Sequence, residues 1–218
     1  MRYGGTAIIL QFVCIGCAVL CVSAEWLKLL WIRASAKMAA STAFVVLAAV
    51  NGALGSDYGR MILLALLFSW VGDALLLSRR HRPLLTGIAA FFFAHLAFAA
   101  AFISQRIDII WFAAALAIFA AAGAAILRWL WPNLKPFYKS AVPLYLAATT
   151  IMTALAVAVS AASDSSTLMV AAIAFAASDV AVASDRFVAP GIINRVWGLP
   201  LYYTAQLLFA MSVLPHGQ

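Results

Sequence analysis

The chain has 218 residues, of which 67% are hydrophobic and 10% are charged, and its mean hydropathy is +1.05. A water-soluble globule is excluded, because so few polar residues could not cover its surface. A transmembrane β-barrel is excluded because barrel strands alternate apolar and polar residues, and these apolar runs do not. The net charge of +7 is spread over short loops, which favours contact with lipid head groups and argues against nucleic-acid binding. The composition predicts an all-α membrane protein.

Eight apolar runs, each close to the length of about 20 residues that a membrane-spanning helix needs, follow one another along the chain. We expect eight transmembrane helices in a single bundle, at residues 4–24, 37–55, 60–78, 83–103, 108–130, 140–161, 166–184 and 198–214. Prolines lie at or near the joints, where they break helices least harmfully. No linker or low-complexity segment divides the chain, so residues 1–218 are interpreted as one membrane domain.

The first apolar run has two interpretations. Residues 22–24 ahead of Glu25 resemble a signal-peptide cleavage site. The apolar stretch is longer than the core of a usual signal peptide, so the sequence favours a retained first helix.

Lysine and arginine are distributed unequally between the two sides of the predicted bundle. The loops after helices 1, 3, 5 and 7 hold eleven of them, whereas the opposite side holds only Arg2, Arg60 and Arg106. Because basic loops stay in the cytoplasm, this asymmetry places those loops inside and both termini outside. We expect an integral protein of the cell membrane, which in a bacterium is the inner membrane.

Two aspartates lie inside apolar runs and are the candidate catalytic residues. Asp73 lies in the third run after Gly72, and Asp179 follows Ser178 in the seventh run, 106 positions later. An aspartate inside a membrane helix costs about 2.5–3.5 kcal/mol on insertion scales, so its presence indicates a function. Helices 3 and 7 run in the same direction, which puts both carboxylates at one depth. The pattern predicts that they face one cavity.

Other polar side chains fall in the same half of the predicted bilayer. The candidate substrate-binding residues are Lys37, His95, Tyr145, Ser178, Tyr203 and Gln206. His95 could equally be a packed hydrogen-bonding residue, and Tyr145 and Tyr202 could belong to the aromatic belt at the membrane interface. Lys37 could instead extend into the head groups.

Two carboxyl groups in a low-dielectric cavity favour one protonated and one ionised member, which supplies a general acid and a general base. The sequence does not decide between them, although Gly72 offers Asp73 fewer hydrogen bonds than Ser178 offers Asp179, which slightly favours Asp73 as the acid. We expect no cofactor and no metal site. Only three histidines are present, and His81 and His216 lie in a loop or tail.

Several short blocks, taken in order, resemble the YhhN family of polytopic membrane proteins, which includes the animal lysoplasmalogenases. The blocks are Gly72-Asp73 with its leucine run, Thr86-Gly87 leading through Phe91 to His95, Tyr145 before an alanine-rich helix, Ser178-Asp179, and Tyr202-Tyr203-x-x-Gln206. Two positions depart from the family pattern. Met38 follows Lys37 where the family has proline, and Phe98 stands where an aromatic hydroxyl is common.

The resemblance implies a hydrolase that cleaves the vinyl ether bond of lysoplasmalogens, releasing a fatty aldehyde and a glycerophospho-base. The implied partners are a lysophospholipid substrate and the lipid bilayer, and the oligomeric state is left open. The alternative is a transporter or binding protein for lipids or small molecules that uses the same aspartates. The near repeat around Asp73 and Asp179 would then reflect duplication of a four-helix unit.

Overall fold

The computed structural model describes residues 4–78, 81–163 and 165–214. Within those residues the chain forms eight α-helices: α1 Gly4–Trp26, α2 Leu30–Val50, α3 Asp57–Leu76, α4 His81–Ile103, α5 Ile109–Leu130, α6 Tyr138–Ser163, α7 Thr167–Ala183 and α8 Ile192–Met211. Short 3₁₀ turns at Ala53–Gly55 and Trp131–Asn133 lie in two of the links, and a π-helical turn at Ser184–Val188 continues α7. The predicted all-α architecture of about eight helices is confirmed.

Seven of the described helices, α1 to α7, are long and apolar enough to cross a membrane. The eighth, α8, contains 20 residues and carries several polar side chains, three of which, Tyr202, Tyr203 and Gln206, are buried. It packs against α1, α2, α3 and α7. The fold is therefore that of a polytopic helical membrane protein, in which α8 is stabilised by its protein neighbours as well as by its apolar residues.

Consecutive helices pair as the hairpins α1–α2, α3–α4, α5–α6 and α7–α8, and contacts of α2 with α3, α4 with α6, and α6 with α7 join these hairpins. We call the end of the bundle where the four hairpins have their links the basic end. Helix α5 is peripheral: of the other long helices it makes extensive contact only with α6, and only Ala115 and Leu130 of its residues are buried. The side of α5 that faces the bundle is therefore not filled by another helix.

The centre of the bundle is packed with aromatic side chains and small residues. The rings of Phe98 and Phe209 lie 4.1 Å apart between α4 and α8, and Phe175 of α7 contacts both. Gly198 allows α7 and α8 to approach closely, because a Cβ there would lie 2.5 Å from the Cβ of Ala181. Small residues at helix contacts are typical of packing in lipid.

Two helices begin earlier than the apolar runs predict. Helix α2 begins at Leu30 and ends at Val50, not at 37 and 55, and α8 begins at Ile192, not at 198. Arg33 and Lys37 therefore lie in the first turns of α2, and Arg195 lies in the first turn of α8, so none of them is a loop residue. Hydropathy placed Arg33 and Arg195 outside the predicted helices because they are charged. In the structure all three residues are paired with carboxylates, which compensates their charges.

Candidate active site

A cavity of about 240 Å³ lies at the basic end of the bundle, and all eight helices contribute to its walls. Most of its lining is apolar. Besides the charged residues at its mouth, its polar lining includes Lys37, Asp73, Tyr145, Ser178, Asp179 and Tyr202. Both candidate catalytic aspartates thus line the same cavity.

Asp73 is held by three donors that converge on its two oxygens. Lys37 Nζ lies 3.0 Å from Oδ1, and the hydroxyls of Ser41 and Tyr202 each donate to Oδ2 at 2.6 Å. The side chain of Asp73 is only 2% exposed. Because Lys37 is a cation and both hydroxyls can donate, although Ser41 also lies 3.0 Å from the Lys37 carbonyl, the surroundings compensate a carboxylate anion.

Local sequence explains why these groups meet. Lys37 and Ser41 are four residues apart on α2, so both point from one face of that helix towards α3. Gly72 lets α4 approach beside Asp73, because a Cβ at position 72 would lie 2.5 Å from the ring of Phe91. The pattern of glycine before aspartate therefore reflects packing as well as chemistry.

Asp179 has different surroundings. Its Oδ2 lies 3.2 Å from Nε2 of His95, and its side chain is 18% exposed. The His95–Asp179 contact is not a well-aligned hydrogen bond, since neither atom has a partner of good geometry among the described residues. Tyr145 supplies a hydroxyl to the Asp179 carboxyl group.

His95 is fully buried and fixed in orientation. Its Nδ1 lies 2.7 Å from the carbonyl oxygen of Phe91, and its ring stacks on Phe175 at 4.6 Å. A carbonyl oxygen only accepts, so Nδ1 carries a proton. Nε2, which faces Asp179, can then be protonated only if the histidine is an imidazolium. One proton between Nε2 and the carboxyl group would relieve the repulsion between two facing lone pairs.

The mouth of the cavity carries a network of charges. Glu25 of α1 pairs with Arg33 of α2 at 3.0 Å and contacts Arg195 of α8, which also pairs with Asp185 at 3.2 Å. Arg186 donates to the carbonyl of Leu76 at 3.0 Å and lines the same opening. The charges were visible in the sequence, but their network was not. Asp185 lies at the end of an apolar run, where solvation would be expected, yet it is only 9% exposed.

Five of the eight predicted site residues line the cavity. They are the two aspartates together with Lys37, Tyr145 and Ser178. Ser178 has no free hydroxyl hydrogen to offer a ligand, because it donates to the carbonyl of Phe175 on its own helix at 2.7 Å.

Three other predicted site residues are not part of the cavity lining. His95 lies behind Asp179. Tyr203 donates to the backbone carbonyl of Lys37 at 3.2 Å, and Gln206 is fully buried near the hydroxyl of Tyr202. The expectation that these three line the cavity is corrected: they pack behind it, because adjacent positions of a helix point about 100° apart.

Two partners of Asp73 were absent from the predicted set. Tyr202 had been considered as an interfacial residue, and Ser41 had no assigned role. The sequence signal for Ser41 is its spacing of one helical turn from Lys37. Nothing in the sequence distinguishes Tyr202 from Tyr203, since both are tyrosines on the same turn.

Fold and site together define a polytopic helical membrane protein with a pair of intramembrane carboxylates in one cavity. The chain belongs to the YhhN family, whose family model matches residues 32–213. A search of curated proteins and a search of solved structures each gave no match. Helix α1 precedes the matched range, yet it contributes Cys21 and Glu25 to the cavity.

Proposed function

We propose that the protein is a membrane-embedded hydrolase that cleaves the vinyl ether bond of a lysoplasmalogen and releases a fatty aldehyde and a glycerophospho-base. The observation that carries the proposal is the sharing of one largely apolar cavity by Asp73 and Asp179 in different hydrogen-bond surroundings. Two carboxyl groups with different environments are the requirement for paired acid–base catalysis. Membership of the YhhN family supports the same reaction.

Asp73 is assigned as the carboxylate. Lys37, Ser41 and Tyr202 all donate to it, and this arrangement favours its ionised form. Its role is to stabilise a positive charge on the substrate and to accept a proton from water.

Asp179 is assigned as the proton donor, with His95 positioning it. Its carboxyl group has no cation comparable to Lys37 among the described residues, and its Oδ2 faces the histidine nitrogen at 3.2 Å. A proton held at this pair is available to the cavity, into which Asp179 is partly exposed. This assignment is opposite to the one that the sequence slightly favoured, because Ser178 donates to its own helix and not to Asp179.

The reaction then follows in three steps. Asp179 transfers its proton to the vinyl carbon that does not bear oxygen, which forms a C–H bond and leaves an oxocarbenium ion opposite the Asp73 carboxylate. Water adds to the carbon that bears oxygen while Asp73 takes a proton from it, giving a hemiacetal. Collapse of the hemiacetal breaks the bond to the glycerol oxygen, which takes the proton held by Asp73, while the hemiacetal hydroxyl returns a proton to Asp179; the aldehyde is released and both carboxyl groups are restored. The use of two carboxyl groups resembles glycoside hydrolysis.

The mouth of the cavity suits an anionic head group. Arg33, Arg186 and Arg195 line it, and arginine matches the geometry of phosphate oxygens. The proposed substrate therefore enters with its phosphate at the basic end, its vinyl ether beside the aspartates and its hydrocarbon chain in the apolar part of the cavity. We propose that the basic end faces the cytoplasm, following the distribution of lysine and arginine.

The test is aldehyde release by purified protein from a lysoplasmalogen, compared with a lysophospholipid that has an acyl ester at the same position. Asp73→Asn and Asp179→Asn should each reduce turnover by about 10²–10⁴-fold, which is the usual contribution of a general acid or base. The matched control is Asp57→Asn on α3, because the Asp57 side chain is 90% exposed and lies far from the cavity mouth. It should retain full activity.

Two outcomes would contradict the proposal. One is full turnover by well-folded asparagine variants at both positions. The other is the absence of aldehyde together with uptake of labelled lysolipid into vesicles that contain the protein, which would favour a transporter.

A further inference from the structure

The apolar part of the cavity forms a groove between α5 and α6. One wall is a single face of α5, formed by residues three or four positions apart: Phe119, Gly123, Ile126 and Leu130. The opposite wall is formed by α6, from Val142 to Thr153. Each wall spans twelve residues, so its two ends lie about 16 Å apart along the helix axis.

The walls present apolar groups although α6 contributes threonines to them. The hydroxyl of Thr149 donates to the carbonyl of Tyr145 at 3.1 Å, and that of Thr153 donates to the carbonyl of Thr149 at 2.8 Å. Both hydroxyls are satisfied within their own helix, so neither requires a polar ligand in the groove. An apolar chain in contact with these two threonines leaves neither hydroxyl unpaired.

The groove is closed at its deep end. Phe119 packs there against a small cluster formed by Ala115, Ala154 and Val157, where α5 and α6 meet directly. At the other end, near the basic end, the groove joins the part of the cavity that holds the aspartates. The groove is therefore a pocket with one closed end, lying beyond the aspartates as seen from the charged mouth.

Depths can be read from the register of the two helices. Gly123 lies opposite Thr150, whose hydroxyl oxygen is 3.5 Å from the position of a Cβ at residue 123, and Phe119 packs against Ala154. Tyr145 marks the depth of Asp179. The closed end thus lies about 13 Å beyond the carboxyl groups, and Gly123 lies about 6 Å short of Phe119.

We infer that this groove holds the single hydrocarbon chain of the substrate and that Phe119 sets the longest chain accepted. The inference rests on the proposed function for the position of the reactive bond. The occupant is a single-chain amphiphile, because the apolar groove is continuous with a mouth lined by arginines that match its phosphate.

Two substitutions should change chain-length preference in opposite directions. Phe119→Ala removes the ring at the closed end and lengthens the groove. Gly123→Leu places a side chain halfway along it, where a Cβ meets nothing closer than 3.5 Å, and replacing glycine in a helix does not itself destabilise the helix. The matched controls are Ile118→Ala, next to Phe119 but 65% exposed, and Gly16→Leu, which has nothing within 4 Å of a Cβ and does not line the cavity.

The experiment measures kcat/KM for lysoplasmalogens with chains of about six to sixteen carbons, because an extended chain of about ten carbons spans the roughly 13 Å between the carboxyl groups and Phe119. Each methylene that is buried contributes about fourfold, so Phe119→Ala should raise the ratio of the longest to the middle chain by about tenfold or more. Gly123→Leu should lower the ratio of the middle to the shortest chain by at least about tenfold, because only the shortest chain ends before residue 123. Both controls should keep the wild-type profile. Unchanged profiles in the two folded groove variants would overturn the inference.

A binding measurement with lysolipids that cannot be cleaved tests the groove assignment separately from the proposed reaction. Saturated alkyl-ether lysolipids have the same chains but no vinyl ether, and their protection of each variant against thermal unfolding reports chain length without turnover. If the wild type releases no aldehyde but the preferred chain length still shifts between Phe119→Ala and Gly123→Leu, the proposed reaction fails and the groove assignment stands. No shift in binding would overturn the groove assignment.

Discussion

The two carboxyl groups of the cavity differ in what surrounds them, although each comes from an aspartate at a similar depth. The side chain of Asp73 is 2% exposed and is contacted by the ammonium group of Lys37 and the hydroxyls of Ser41 and Tyr202. The side chain of Asp179 is 18% exposed and faces His95. The position along a helix determines the depth of a carboxyl group. The neighbouring helices determine which protonation state is favoured.

The difference follows the construction of the bundle. Helices α2 and α8 supply the donors around Asp73 of α3, whereas α4 and α6 supply the partners of Asp179 on α7. Each half of the bundle therefore provides one member of the proposed acid–base pair. The predictions below test whether this division of roles is correct.

The largest expected effect is on turnover. If the two aspartates act as one unit, the double variant Asp73→Asn/Asp179→Asn should be about as slow as either single variant, with a loss of about 10²–10⁴-fold and not the product of two such losses. Aldehyde release under single-turnover conditions measures this. Multiplicative losses would contradict a shared mechanism.

The next effect is on stability and should distinguish the two aspartates. Asp73→Asn leaves Lys37, whose side chain is 14% exposed, without its counter-charge, so the free energy of unfolding should fall by on the order of 3 kcal/mol. Asp179→Asn removes no lysine or arginine partner and should be close to neutral.

A double variant checks the cause of that loss. Lys37→Met/Asp73→Asn removes both charges, so it should be more stable than Asp73→Asn alone, as expected when a buried ion pair is replaced as a whole. Thermal unfolding in detergent measures all three variants. Equal melting temperatures for Asp73→Asn and Asp179→Asn would contradict the different surroundings of the two carboxyl groups.

A smaller effect on turnover is expected at Tyr202, and its neighbour Tyr203 provides the matched control. Tyr202→Phe removes a donor to the Asp73 carboxylate, and a hydrogen bond to a charged group is worth about 1.5–3 kcal/mol, so turnover should fall about 10- to 100-fold. Tyr203→Phe removes only a bond to the Lys37 carbonyl. It should cost about 1 kcal/mol of stability and leave turnover unchanged. Equal losses of turnover would show that the tyrosines do not act through Asp73.

The smallest effect is expected at Ser178. Its hydroxyl donates to Phe175 of the same helix, so Ser178→Ala should change kcat/KM by less than about threefold and leave the melting temperature nearly unchanged, as for substitutions outside a shared network. A loss comparable to that of Asp179→Asn would show that the serine contacts substrate or the carboxyl group during turnover.

The sequence predicted the number of helices and the position of both aspartates in one cavity, because both follow from hydropathy and helix direction. It did not predict the starts of α2 and α8, where Arg33 and Arg195 interrupt the apolar pattern. Their carboxylate partners lie on other elements of the fold, and a contact between elements leaves no signal in hydropathy.

The assignment of polar residues was limited for a related reason. Tyr203 and Gln206 were favoured over Tyr202, yet Tyr202 is the residue that contacts Asp73. One residue along a helix turns a side chain by about 100°. Only the packing of α8 on α2 and α3 determines which tyrosine points into the cavity, and Ser41 could be recognised only once Lys37 was placed.

The central claim is that a carboxylic acid of the cavity protonates a vinyl ether carbon. The most direct measurement is mass spectrometry of the aldehyde formed by the purified protein from a lysoplasmalogen in heavy water. We predict one deuterium on the carbon next to the carbonyl and slower release than in light water, since proton transfer to carbon limits the rate. Aldehyde without deuterium at that carbon, released equally fast in both solvents, would contradict the account.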